Sequence, residues 1–244
     1  MKEVRFFYAP NASGVCELPD EEAQHAVRVL RMEQGDEMML MDGEGTFYRA
    51  SVTEATKKRC LYQIEETLPQ ERQWLPHLHL AMAPTKNMDR TEWMAEKATE
   101  IGFDELTFLK CRWSERTVVK SERVEKILVS AMKQSHKAWK PVLNEMTDFS
   151  AFIQEIDERE KMSGKPIQKF ICHCHEGEKV LLKNALVKGT DTLVLVGPEG
   201  DFSPEEVAEA EAKGYVSASL GKSRLRTETA ALVAVHLMNI LNES

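Results

Sequence analysis

No uninterrupted apolar run approaches the roughly 20 residues that a bilayer-spanning helix needs, so no membrane partner is expected. No apolar core follows Met1-Lys2-Glu3-Val4-Arg5, and a cytoplasmic protein without a secretory leader is the simplest reading. Cysteine is sparse: the five positions, 16, 60, 111, 172 and 174, are odd in number and mostly scattered, which does not suit a secreted disulfide framework. Two of them fall in Cys172-His173-Cys174-His175, whose residue types suit zinc. Zinc sites usually join two separated ligand pairs, and adjacent residues of a strand point to opposite faces, so no metal is expected. Also missing are Gly-x-Gly-x-x-Gly after a strand, a Walker A sequence and a Gly-x-Ser-x-Gly elbow. Their absence speaks against a Rossmann-type nucleotide site, nucleotide hydrolysis and an α/β-hydrolase.

What is present is ordinary globular material: 42% hydrophobic and 30% charged residues, enough to bury a core. The net charge of −8 excludes a globally basic nucleic-acid binder, but the charge is uneven. Residues 110–140 carry nine Lys or Arg against three acids, a local excess of six. A basic segment on an acidic chain suits a local phosphate-contact surface; a solvated helix face is the alternative.

The period of the apolar residues changes along the chain. Residues 4–8, 37–41, 47–53 and 60–65 alternate as strands linked by turns such as Asp42-Gly43, with one helix that Asp20 is expected to cap. Residues 1–70 therefore read as a small β-rich domain, and 71–77, next to Pro69 and containing Pro76, as a linker. From 78 to 244, apolar strands at 78–83, 105–109, 168–173, 192–196 and 216–220 alternate with helices. These are placed at 90–101, 121–139, 149–159, 178–186, from Pro204, and at 227–241. Such alternation defines an α/β domain with a mainly parallel sheet covered on both faces.

Two loops carry the chemistry. The run Leu193-Val194-Leu195-Val196 empties into Gly197-Pro198-Glu199-Gly200, and Ser203, Pro204 and Glu206 then supply a capping box for the next helix. A rigid loop at the carboxyl end of a buried strand is where open α/β sheets bind ligands. The second loop, Leu220-Gly221-Lys222-Ser223-Arg224-Leu225-Arg226, runs into the helix that Thr227 opens. Arg226 lies beside Glu228 at this junction, and a guanidinium fork can stabilise a developing oxyanion.

These motifs resemble the SPOUT methyltransferase superfamily, whose C-terminal segment forms a trefoil knot around S-adenosylmethionine. More narrowly the chain resembles the RsmE family, the 16S ribosomal RNA uridine-N3 methyltransferases, with a PUA-like N-terminal domain. The likeness runs through His25-Ala26-Val27-Arg28-Val29-Leu30-Arg31, Lys86-Asn87-Met88-Asp89-Arg90, the segment from Glu92 to Gly102 and both loops. Asp201 departs from it, standing where the family usually has glycine. The resemblance implies an S-adenosylmethionine-dependent RNA methyltransferase that works as a homodimer on 16S ribosomal RNA or the 30S subunit. It places the cofactor at Leu195, Val196, Gly197, Pro198, Glu199 and Gly200, and from Leu220 through Gly221, Lys222, Ser223, Arg224 and Leu225 to Arg226. Arg226, Glu199 and Glu228 are the catalytic candidates. Arg28, Arg31, Arg112, Arg116, Lys120, Arg123, Lys133 and Lys137 are the candidates for RNA contact. A transfer RNA methyltransferase of the same fold and a non-catalytic RNA-binding or ribosome-assembly factor are the alternatives.

Overall fold

A computed structural model of the chain describes residues 5–243, so the expected strand residue Val4 lies outside the described part. Two compact units are present: residues 5–72 with Val129–Lys140, and Gln73–Leu128 with residues 141–243. The division is not linear as the sequence suggested, because residues 129–140 join the first unit.

In the first unit β1 (Arg5–Tyr8), β2 (Glu37–Met41), β3 (Thr46–Ala55) and β4 (Cys60–Pro69) form one sheet in that order. The β1–β2 pair is parallel and the others antiparallel. Its buried face, with Phe7, Met38, Leu40, Val52 and Tyr62, packs on Ala23 and Ala26. Those alanines belong to α1 (Asp20–Gln24) and the π-helical turn His25–Val29 that continues it. Asp20 does not cap α1; Pro19 holds the cap position and makes no side-chain cap bond. The 129–140 segment is fixed here by the stack of Phe6 on His136, by a Lys133–Glu22 ion pair and by Trp139. Gly45, at φ +107, lies under the Trp139 ring, where a Cβ would come within 2.6 Å. Only glycine fits both conditions.

The second unit contains β5 (Leu78–Met82), α2 (Met88–Ile101), β6 (Glu105–Lys110), α3 (Ser121–Ser135) as far as Leu128, β7 (Val142–Asp148) and α4 (Phe149–Ser163). It continues with β8 (Gln168–Cys172), β9 (Val180–Leu181), α5 (Leu182–Ala185), β10 (Thr192–Val196), α6 (Pro204–Ala212), β11 (Val216–Ser219) and α7 (Thr227–Asn242). The helix expected over 178–186 is instead a two-residue strand and one helical turn, and β7 has no counterpart in the sequence reading. All seven strands run parallel in the order β7-β6-β5-β10-β8-β11-β9. Both faces are covered, as a parallel sheet requires. One apolar cluster includes α2 and α7 residues such as Met94, Ala98, Val235 and Met238; the other includes Phe149, Phe152 and Ile156 of α4 and Val207 of α6. Because β10 lies between β5 and β8, and β8 between β10 and β11, the loops leaving β10, β8 and β11 converge at the carboxyl-terminal end of the strands.

The opposite, amino-terminal end of the strands holds a buried polar cluster. Glu105 accepts hydrogen bonds from His77 Nε2 at 2.6 Å, Asn144 Nδ2 at 2.7 Å and Arg159 at 3.0 Å. Burial opposes its ionisation, but these donors together with nearby His79 outweigh it and hold its carboxyl below the ordinary range. His79 is buried against Thr107 and Phe152, and burial pushes its pKa from 6.5 down to about 4 despite the pull of Glu105. Between those values the unfolded chain binds a proton at this histidine and the folded chain does not. Stability therefore falls on acidification below pH 6.5, and Glu105 adds to the loss at lower pH. Urea unfolding is expected to show about 2 kcal/mol less stability from His79 at pH 5 than at pH 7.5. In His79→Leu this part of the slope disappears; an unchanged slope would refute the assignment.

Candidate active site

Every residue of β10 is buried, so the strand delivers the 197–202 loop on a fixed base. The turn closes with the Asp201 N–H donating to the Pro198 carbonyl at 2.9 Å. Gly197 sits against Phe202, which is wholly buried; a Cβ at Gly197 would come within 3.0 Å of the Phe202 backbone nitrogen and ring. Ser203 then caps α6 with the reciprocal pair expected of Ser203 and Glu206, and Glu206 also accepts the Arg112 N–H at 2.8 Å. The Glu199 carboxylate accepts the Lys86 N–H at 2.8 Å, which ties the loop after β5 to the loop after β10.

Asp201 adopts φ +70, a left-handed conformation that Asp tolerates better than most residues. Its two carboxylate oxygens accept from the Phe202 N–H at 2.8 Å and the Cys174 N–H at 2.7 Å. His175 Nε2 lies 2.6 Å from the Phe202 carbonyl, close enough to donate to it. The loops leaving β8 and β10 are thus joined twice, and both contribute to the wall of a cavity of about 510 Å³.

That cavity brings together most of the cofactor candidates. Val196, Gly197, Pro198, Glu199 and Gly200 line it, as do Leu220, Gly221, Ser223, Arg224, Leu225 and Arg226. Two candidates do not. Leu195 is fully buried in the core beneath the loop, because its side chain leaves the strand toward α4 and α6; Lys222 is exposed outside the wall. The wall also contains Arg90, Cys172, His173, Cys174 and Asp201, none of which the sequence reading placed in a site. Of the Cys-His-Cys-His run, noted there for its metal-ligand types, Cys172, His173 and Cys174 line the cavity, while His175 reaches the Phe202 carbonyl. Among the described residues no group of three or more His, Cys, Asp or Glu is placed to hold a metal ion. The Cys172 thiol is pushed up to about 12 by burial, which makes it a poor nucleophile.

Arg226 holds the N-cap position of α7, is exposed, and makes no side-chain cap bond. Two residues on, Glu228 is only 7% exposed. Its Oε2 has no hydrogen-bond partner, while Oε1 lies 3.9 Å from Arg90 Nε. The cavity therefore holds a buried carboxylate with an unfilled acceptor, and guanidinium groups in the same wall.

The eight RNA candidates divide between the units. In the first unit Arg28 Nε donates to the Lys57 carbonyl at 3.3 Å, Arg31 is exposed at φ +53, Lys133 pairs with Glu22, and Lys137 is half-buried. In the second, Arg112 pairs with Glu205 at 3.2 Å and Arg123 with Glu92 at 2.6 Å, while Lys120 is exposed. Arg116 donates to the carbonyls of Thr85 and Lys86, bracing the loop that Glu199 also holds. Several of these charges are already answered by acids, so the net positive surface is smaller than the sequence count implied.

The site is a cavity enclosed by strand-end loops of a parallel α/β unit that accompanies a small β-rich unit, and sequence comparison assigns both units to RNA methyltransferases. The family model for the RNA methyltransferase domain matches residues 72–239, and that for the RNA methyltransferase PUA domain matches residues 18–65. The chain belongs to the ribosomal RNA small subunit methyltransferase E family. A member from Synechocystis sp. is 31% identical over 225 residues, covering 89% of this chain and 70% of that protein. A crystal structure described as a probable rRNA-methyltransferase from Porphyromonas gingivalis is 40% identical, with a TM-score of 0.88 and 98% of each chain covered. A Legionella pneumophila structure described as a putative methyltransferase with bound SAM is 28% identical, with a TM-score of 0.85 and the same coverage.

Proposed function

We propose that this protein transfers the methyl group of S-adenosylmethionine to N3 of one uridine in the 16S ribosomal RNA of the small subunit. The observation that carries this reading is the cavity where the loops after β8, β10 and β11 meet and where Glu228 presents an unpartnered oxygen. Its size suits a compact cofactor. Gly197 lets the loop pack onto the buried Phe202, and the loops after β8 and β10 line the wall. The 196–200 and 220–226 loops, without Leu195 and Lys222, are the cofactor cradle in this reading.

When bound, S-adenosylmethionine supplies an electrophilic methyl group, so the protein has only to align and activate the acceptor. Uridine N3 is a weakly acidic imide nitrogen whose electron pair becomes available as its proton leaves. Glu228 Oε2, buried and without a partner, receives that proton. Arg226 offers a positive fork to an adjacent carbonyl oxygen, where charge accumulates. Glu199 is a brace: its carboxylate already holds the Lys86 N–H. Because N3 is hidden in a base pair, the target uridine is unpaired or flipped out.

The β-rich first unit serves as the RNA-binding module in this reading, through Arg28, Arg31, Lys133 and Lys137, with Arg112, Arg116, Lys120 and Arg123 of the second unit as further phosphate contacts. The trefoil knot, a homodimer and a cytoplasmic location complete it. In α7, Val235 and Met238 are fully buried core residues, whereas Leu232, Leu237 and Leu241 are partly exposed and Ile240 is 51% exposed. These outer positions are the ones a second copy would cover. Among the described residues no helix is long and apolar enough to cross a membrane.

Asp201 gives a direct check on the cavity wall. Asp201→Gly keeps the left-handed backbone accessible but removes the tie to Cys174. Cofactor Kd is expected to rise about fivefold, close to 1 kcal/mol, with overall stability little changed. Titration calorimetry measures this; an unchanged Kd would show that the tie does not shape the site. The function itself is tested by incubating the protein and labelled cofactor with unmethylated 30S subunits or RNA. Label on N3 of a uridine supports the reading. Modification of transfer RNA, or cofactor binding without transfer to any ribosomal substrate, supports one of the two alternatives instead.

A further inference from the structure

We propose that Arg90 is a substrate-contacting specificity residue that, with Glu228 and Arg226, reads the imide edge of the target base. The inference rests on the reading above and deepens it. Uracil presents three groups in a row along this edge: a carbonyl oxygen, the N3–H, and a second carbonyl oxygen. A site that recognises it must offer a donor, an acceptor and a donor in the same order. The cavity wall supplies these groups from two separate elements. Glu228, in the first turn of α7, has a buried oxygen with no partner. Arg226 precedes it by two residues, at the cap of that helix. Arg90, in the first turn of α2, brings a second guanidinium to the same carboxylate from the neighbouring helix.

The Arg90–Glu228 geometry is the informative part. At 3.9 Å from Arg90 Nε to Glu228 Oε1 the pair is longer than a hydrogen bond, and the Arg90 side chain remains 43% exposed. A guanidinium committed to the carboxylate would sit closer and form two parallel bonds. Arg90 instead keeps its donors available while staying within Coulombic reach of Glu228. A planar carbonyl entering beside the carboxylate would meet the Arg90 fork, with Arg226 in the same cavity wall.

Two consequences follow from donor and acceptor counting. Cytosine presents an N3 lone pair to Glu228 and an amino group to one of the arginines, so two of the three contacts become mismatched. Buried polar groups left unpaired make such discrimination steep. On uridine, Arg90 also stabilises charge that appears on the carbonyl as the N3 proton passes to Glu228, so its contribution grows during the reaction.

The test compares wild type, Arg90→Ala and Arg90→Lys on 30S subunits assembled from unmodified transcripts and from transcripts containing 5-fluorouridine, whose imide is more acidic. Arg90→Ala is expected to lower kcat/KM about a hundredfold, and Arg90→Lys, which keeps charge without the fork, about tenfold. Cofactor Kd should change less than about threefold, since the residue faces the base. On the fluorinated substrate the Arg90→Ala deficit should shrink by about tenfold, because less anion stabilisation is needed. An unchanged kcat/KM in Arg90→Ala would overturn the proposal, as would an equal deficit on both substrates, which marks a merely structural role. If Arg90→Ala loses cofactor binding or unfolds, the fluorinated-to-normal ratio for Arg90→Lys decides the same way. If the wild type leaves uridine N3 unmodified, the underlying reading fails and this assignment falls with it.

Discussion

Arg226→Ala is expected to lower kcat at saturating cofactor at least a hundredfold while leaving the folded state nearly intact. The magnitude is that of removing one preorganised charge from a developing oxyanion, about 10²–10³ in rate. The separation of effects follows from where the residue sits. Arg226 is exposed, it caps α7 through its backbone position alone, and no side-chain cap bond is lost on truncation. A surface truncation of this kind alters stability by about 0.5 kcal/mol or less. Arg226→Lys retains charge but not the planar fork and should recover only part of the rate. Single-turnover methylation at saturating cofactor isolates the chemical step from binding. Wild-type turnover in Arg226→Ala would remove the residue from the mechanism.

Glu228 should show the opposite relation between stability and activity. Glu228→Met preserves length and apolar stem while removing the buried carboxylate. In the free protein one of its oxygens lacks any partner, a cost of about 1–3 kcal/mol. Against this stand two favourable terms. An acid in the first turn of a helix contributes about 0.3–1 kcal/mol, and the contact to a 43%-exposed Arg90 at 3.9 Å contributes little in water-accessible surroundings. The orphan oxygen dominates, so Glu228→Met should be more stable by about 1 kcal/mol, a rise of about 2–4 °C in Tm. Methyl transfer should fall at least a hundredfold, because the proton acceptor is gone. Calorimetry and a turnover assay on one preparation decide the matter. A destabilised but fully active Glu228→Met would contradict both halves of the argument. A stabilising change that abolishes function is what a group retained for chemistry produces.

The strong local patterns were legible in the sequence. The apolar runs of β5, β6 and β10 are buried throughout except at Lys110, and the Ser203–Glu206 capping box is present as written. The two signature loops were legible as strand-end loops, and they line one cavity although β8 lies between β10 and β11. What escaped depends on partners distant in sequence. The strand β7, Val-Leu-Asn-Glu-Met-Thr-Asp, lies at the sheet edge against β6 alone, so it needs no continuous apolar run. Residues 129–140 look like the tail of one basic helix, yet Lys133 answers Glu22 and Trp139 fills the space over Gly45. Leu195 belongs to the signature strand but alternates into the core, which the motif alone does not reveal. Arg90 reads as one charge on an amphipathic helix until the neighbouring helix α7 brings Glu228 beside it. Asp201 breaks the resemblance by residue type, while its bonds to Phe202 and Cys174 show the substitution linking two loops.

The central claim is that the cavity between the β8, β10 and β11 loops performs methyl transfer to uridine N3 of small-subunit ribosomal RNA. Its most direct test is incubation with labelled S-adenosylmethionine and 30S subunits lacking the modification, with naked 16S ribosomal RNA in parallel, followed by mapping of the labelled base. The expected result is label at N3 of one uridine, lost in Arg226→Ala. Absence of label on both substrates, in a preparation shown by calorimetry to bind the cofactor, would contradict it.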